Sequence, residues 1–569
     1  MKNLSRLVSV AALMLGLAAC TTSNPPPTAA MFDEAHSFIA ENERTVRPLE
    51  IALNRAWWDA NITGTDAAFQ AKEEAQNRLD EALSDPAQFA TLKRIHDLLQ
   101  GSVSKADALT ARQIHLLYLQ RLEKQVPPEL LKKLSAKGNA IEKAFNVYRA
   151  KANGKELTDS QVREVLKTTK DSRYRAAVWE ASKGVGSVVE ADLKELVKLR
   201  NESARKLGFK DYHVMALFLN EQSQEQVLKL FNELDALTRE PFKTVKAELD
   251  ASLAKDYGIA PGDLRPWHYQ DPFFQEAPAF DTSGFDAVYA KADLLKLSRD
   301  FYAGIGLPVD AVLARSDLYE KPGKSPHAFS TDIDRAGDVR VLANVVPNEY
   351  WMGTLLHELG HSVYSSINIP PSMPYALRME SHILTTEGIA MMLEKFSKNA
   401  GWMERMGLTV PEREALQAAG ARARRSELLI FAAWAQVMFR FEMAMYANPD
   451  QDLNKLWWDL VERYQRVHRA DGRNAPDYAA KIHIVSSPAY YHNYLMGELF
   501  AAQVHHTIAR EVLKTEPAQA LYNGRPDVGQ FLKDKIFTPG RSLSWNDLTR
   551  YATGEGLNPK AFAEDLKVR

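Results

Sequence analysis

Residues 354–363 read TLLHELGHSV, which places His357 and His361 four residues apart with Glu358 beside the first. On an α-helix, residues four apart lie one turn from each other on the same face, so both imidazoles can reach one ion while the carboxylate stands next to it. Zinc suits such a pair: it takes nitrogen and oxygen ligands tetrahedrally, and a hydrolytic site leaves the fourth position to water. Cys20 is the only cysteine, so thiolate chemistry is excluded from the rest of the chain and the ion must sit on nitrogen and oxygen. The third ligand is then a downstream carboxylate. In ALRMESHILTTEGIAMMLEKF the candidates Glu380, Glu387 and Glu394 fall seven apart, roughly on one helical face, and spacing alone does not choose among them. His382, in the same stretch, reads as a surface or core histidine rather than a ligand.

The motif needs a helix to carry it. Its surroundings supply one that is entered near Asn348 and closed by Pro370 and Pro371. From about Met31 onward amphipathic helix dominates: Leu193, Leu196, Val197 and Leu207 fall at helical spacing ahead of Gly208. Thr158/Gln161 and Ser223/Gln226 have capping-box spacing before apolar runs. Strand signals are scarce. The best is DVRVLANVV, Asp338 to Val346, bounded by Gly337 and Pro347. No repeat of fixed period and no internal linker divides residues 31–569. The expectation is one catalytic domain of all-α class, mostly helical with a very short β-sheet near the site, its two lobes flanking a deep central cleft.

With 71 basic and 73 acidic residues, a net charge of −2 gives no field to hold a phosphate backbone, which excludes nucleic acid as a partner. The N-terminus carries an address. Lys2 and Arg6 precede the apolar run LVSVAALMLGLAA, too short to span a bilayer as a mature helix, and small residues lead to Cys20. Leu17-Ala18-Ala19-Cys20 resembles the lipobox of bacterial lipoproteins. That implies a signal peptide over residues 1–19, lipidation at Cys20 and a flexible Pro-rich tether over residues 20–30. The implied location is the cell envelope. Thr21 stands where an inner-membrane retention signal would place aspartate, which favours the outer membrane, facing the periplasm.

AWWDANIT near Trp57, RNESARKLGF near Asn201, LWWDLVERYQ near Trp457 and KIHIVSS at Lys481 occur in order with HELGH. HAFSTD, beginning at His327, lies thirty residues before His357. Together they resemble the peptidyl-dipeptidase A family, that of angiotensin-converting enzyme, along most of residues 31–569. The resemblance implies a single Zn2+ on His357, His361 and Glu387, the last lying nine residues after Arg378 as in the family pattern. It implies Glu358 as general base, and His483 and Tyr494 as donors to the oxyanion. Lys481 and Tyr491 would grip the free C-terminal carboxylate of a peptide, and His327 and Ala328 would align that peptide in extended form. The implied activity is release of C-terminal dipeptides. A zinc oligoendopeptidase would share the motif without needing Lys481. A catalytically silent envelope scaffold would typically have lost ligands or base, and all are present here.

The sequence also departs from the family pattern. His483 to Tyr494 is one residue longer than expected, and without an insertion Tyr490 and Asn493 would take the two tyrosine positions. Asn493 and Val461 stand where animal enzymes have chloride-binding arginines, so chloride dependence loses its support. Met391 replaces an aspartate that would orient a zinc ligand, leaving the orienting carboxylate to come from elsewhere. Gln270 is one residue out of register with the glutamine expected in the carboxylate pocket.

Overall fold

Helices build nearly all of the fold, and their ends follow local chemistry. The computed structural model describes residues 28–100, 104, 107–278 and 283–567. The signal segment 1–19 and the lipidation site Cys20 lie outside the described residues, and the first helix, α1 (Ala29–Thr63), begins one residue after the first described position. Thr158 and Gln161 form the expected reciprocal cap, each side chain bonded to the other's backbone N–H at 3.3 and 2.9 Å. Ser223 accepts from Gln226 N at 3.2 Å and opens α3 (Gln224–Tyr257). α2 (Ser172–Lys206) buries Leu193, Leu196 and Val197 and stops where Gly208 adopts φ +89°, a left-handed conformation.

Among the described residues strand is confined to two hairpins, β1 (Ala150–Ala152) with β2 (Lys155–Leu157) and β3 (Phe329–Asp332) with β4 (Val339–Leu342). The strand expected over Asp338 to Val346 is shorter than the apolar run, because residues past Leu342 leave the ladder: Ala343 N donates to Asp317 O and Val345 N to Leu318 O. One continuous apolar core runs from Ile141 to Leu566, while the helices of residues 29–122 carry smaller clusters of their own. α6 (Arg413–Ala447) is long and apolar enough to cross a membrane, but 78% of its apolar window is buried inside the fold, as befits a core helix.

Three helices carry the cluster of interest. α4 (Glu349–Val363) holds the two histidines and is capped by Asn348, whose side chain accepts from Trp351 N at 2.9 Å. It ends at Val363 rather than at the Pro370-Pro371 pair, the chain turning through Tyr364 and Ser365 first. α5 (Ile383–Glu394) packs between α4 and α8 (His492–Thr507). Absent side chains make this possible. A Cβ at Gly360 would stand 2.7 Å from Ala390 Cα, and one at Gly388 would meet Gly497 O at 2.8 Å. A Gly360→Ala variant must push α5 away from α4. We expect a loss of about 1–3 kcal/mol, read as a lower Tm, together with weaker metal retention by elemental analysis. Gly138→Ala, where a Cβ meets nothing within 4 Å, serves as a helical control that leaves both unharmed.

Candidate active site

The close approach of α4 and α5 brings His357, His361 and Glu387 together, one ligand-type atom from each lying within 4.8 Å of the others. His357 Nε2 and His361 Nε2 are 3.1 Å apart, and Glu387 Oε2 is 3.6 and 3.8 Å from them. The outer ring nitrogens are engaged elsewhere: His357 Nδ1 with Glu394 Oε2 and His361 Nδ1 with Thr386 Oγ1, each at 2.8 Å. Glu394 can only accept, which places a proton on His357 Nδ1, and Thr386 Oγ1 can accept from His361 Nδ1 in the same way, leaving both Nε2 atoms facing inward as in metal-ligating histidines. Zinc bonds of about 2.0–2.1 Å at tetrahedral angles set ligand atoms roughly 3.3–3.4 Å apart, so this donor set fits zinc. Without a cation the cluster draws in a proton. Burial disfavours it, but hydrogen bonds to Glu387 and Glu394 lift His357 well above the usual imidazole range, and burial plus that charge hold His361 down to about 4.

Glu358, on the same helix, is buried and pushed up to about 7, by burial first and then by Glu387 and Glu394, against the pull of His357. The backbone N–H of Ser330 faces its carboxylate, so β3 borders Glu358. Ser330 Oγ and Ser362 Oγ lie 2.9 Å apart and tie β3 to α4. His327, exposed, and Ala328, half-buried, lead directly into this strand.

A second group gathers around Lys481, which is buried and donates to Gln275 Oε1. Its Nζ lies 5.3 Å from the ring centres of Phe273, Trp434 and Tyr491, and burial holds its ammonium down to about 8. Gln275 is therefore the glutamine beside this lysine, five residues after the out-of-register Gln270. Gln270 takes φ +64° to cap a 3-10 turn, after which Asp271 Oδ1 accepts from both Phe273 N and Gln275 N at 2.9 Å and turns Gln275 towards the lysine. Long-range ties hold the lysine's own segment. Arg200 on α2 donates to the carbonyls of Ile484 and Val485, and Glu442 on α6 accepts from Ala489 N at 2.9 Å.

His483, Tyr491, Tyr494 and Gln275 line one open cavity of about 460 Å³. His483 is held down to about 4, by burial and then by Lys481, so it is a neutral imidazole at neutral pH. Burial raises the Tyr494 phenol, and the charge of Glu387 adds to this. Tyr490 also feels Glu387 and hydrogen-bonds the Tyr494 hydroxyl, a neighbour that the aligned spacing left out. Asn493 points away, accepting from Gln222 Nε2 at 2.8 Å in the buried interior, so it does not replace a site tyrosine.

Among the carboxylate candidates, Glu380 stands apart, its charged neighbours being Arg541, Arg335 and Asp332. His382 caps α5, its Nδ1 accepting from Leu384 N at 3.1 Å, and burial takes it to about 3. The carboxylate displaced by Met391 is supplied by Glu394, weighed in the sequence only as a ligand. Its helical distance of seven from Glu387 is the signal that both reach the same imidazole pair.

A family model described as "Angiotensin-converting enzyme" matches residues 30–266, and one described as "Peptidase family M3" matches residues 313–568. The second match contains both histidines, Glu358, Glu387, Lys481, His483 and Tyr494, and the first contains the helices that brace them. No curated protein matches the chain. Histidine pair, carboxylate, helical scaffold and both matches agree: the chain is similar to angiotensin-converting enzyme over its first part and to the M3 peptidases over its second, each match covering less than half of it.

Proposed function

We propose that this peptidase is a peptidyl-dipeptidase, releasing dipeptides from the free C-terminus of peptides. The observation that carries the reading is the buried Lys481 ammonium, held against Gln275 and Tyr491, which line the cavity that His483 and Tyr494 also line. A fixed cation in an aromatic pocket suits a terminal carboxylate, and an enzyme cutting within chains has no need of it. The M3 match over the half that bears these residues supports the second reading, an oligoendopeptidase acting on short peptides.

His357, His361 and Glu387 would hold one zinc ion, which when bound supplies Lewis acidity and a water whose pKa falls to about 7. Glu358 accepts a proton on its carboxylate and returns it to the departing amine, a role that its raised pKa near neutrality favours. Neutral His483 and protonated Tyr494 donate to the carbonyl oxygen of the scissile bond as charge develops there. His327 and Ala328, ahead of β3, extend the hairpin edge along which a peptide can lie. Val461 and Asn493 are both buried and bring no charge to the positions where chloride would need one. The lipobox-like residues ending at Cys20 support a lipid-anchored enzyme of the cell envelope, placed at the outer membrane and facing the periplasm.

The deciding experiment compares one short peptide with its C-terminal amide. A peptidyl-dipeptidase loses most of its kcat/KM on the amide, and Lys481→Met brings the free acid down to the amide's rate; equal rates in the wild type select the oligoendopeptidase. Glu358→Gln should cost about 10²–10⁴ in kcat while zinc stoichiometry stays at the wild-type value, and full turnover would remove Glu358 from its role. The pH profile follows from Lys481. Its charge is present below about 8 and lost above, so KM for the free acid rises as pH climbs through about 8, whereas KM for the amide stays level.

A further inference from the structure

Behind the metal cluster lies a second cavity, of about 220 Å³, walled by α5, α6, α8 and the C-terminal segment. It shares Met391, Arg424, Glu427, Leu428 and Glu498 with the front cavity, so the two adjoin across one charged partition. The volume leaves room for a small molecule.

Its charges pair off unevenly. Arg424 binds Glu498 at 2.5 Å, Lys398 reaches Glu427 at 3.4 Å, and Asp565 accepts from His506 at 2.7 Å. Glu394 is committed to His357. Two cations remain: among the described residues no carboxylate comes within ion-pair distance of Lys395 or Arg425, which line the same cavity, and Asp565 and Glu498 act on Lys395 only from farther off. Of the two, Arg425 spends its Nε on the Leu566 carbonyl at 2.8 Å. A half-buried ammonium with no carboxylate at contact distance can donate a charge-assisted hydrogen bond to an anion in the cavity. The remaining wall is apolar, with Met392, Phe396, Ala502 and Phe562 facing the same space.

We propose that this rear cavity binds a small monocarboxylate carrying an apolar group, its carboxylate on Lys395 and its apolar part against the Met392 and Phe562 wall. Enclosure strengthens the single charge contact, and the apolar wall selects against bare inorganic anions. The site stands apart from the Lys481 pocket, and its occupant would lie against Glu394, the carboxylate that orients His357.

The test is calorimetric titration of zinc-loaded protein with sodium benzoate at constant ionic strength. Benzoate can also reach Lys481, so the Lys481→Met variant isolates the rear site and should retain one binding event. Lys395→Met should weaken that event by about tenfold or more, and acetate, which lacks the ring, should bind the wild type at least about tenfold more weakly than benzoate. Ala502→Phe fills the cavity from α8 and leaves Lys395 in place; it should abolish the same event, and it decides the matter if Lys395→Met does not fold. Benzoate binding unchanged in folded Lys395→Met or Ala502→Phe overturns the proposal, as does acetate binding as tightly as benzoate. None of these readouts depends on which peptide bond the enzyme cuts.

Discussion

Two imidazole lone pairs and a carboxylate, all within 3.8 Å of one another in a buried site, repel unless positive charge sits among them. That demand organises the rest. It fixes the tautomers, because Glu394 and Thr386 occupy the outer nitrogens. It requires α4 and α5 to approach at backbone distance, which Gly360 permits against Ala390, and it requires α8 to close on α5, which Gly388 and Gly497 permit. Packing the three helices a little farther apart would leave each residue in place along the chain and the cluster unmade.

Burial then divides the labour among the ionisable groups around the cluster. The same loss of solvent raises Glu358 to about 7 and lowers Lys481 to about 8, bringing an acid and a base towards neutrality from opposite sides. The carboxyl gains the ability to take and return a proton near neutral pH. The lysine keeps its charge yet sits among Phe273, Trp434 and Tyr491, where a carboxylate is held more firmly than in water. Neither effect is local to the motif. Arg200 and Glu442, from helices far apart in sequence, fix the segment that carries the lysine.

What the sequence discloses follows from range. Helical periodicity, caps such as Thr158 with Gln161, and the His357/His361 pair are interactions over three or four residues, and they are legible in order along the chain. Glu387 was reachable through its interval from Arg378 in a family pattern, not through physics. The failures share one cause: each depends on a turn. Gln275 faces Lys481 because Asp271 bends the backbone between them, and the strand after Gly337 stops at Leu342 because a neighbouring segment takes over the hydrogen bonds. The helix of the motif ends at Val363 for the same reason, turning through its own backbone bonds before any proline forces it. Tyr490 falls outside the family spacing that picks out Tyr491 and Tyr494, although its phenol hydrogen-bonds Tyr494.

Moving the orienting carboxylate from position 391 to position 394 changes more than its address. A residue three positions along a helix stays on nearly the same face but lies roughly 4.5 Å farther along the axis, which carries the carboxylate to the C-terminal end of α5. Glu394 meets His357 at 2.8 Å while still presenting surface to the second cavity, where Arg424 and Lys398 act on its charge. An aspartate sealed between helices would hold its histidine with constant strength. A glutamate that shares a wall with Arg424 and adjoins Lys395 in sequence holds it with a strength that depends on the charges behind it. The basicity of His357 is therefore set from two points along α5: by Glu387 beside the imidazole pair and by Glu394 with the ionic lining that surrounds it.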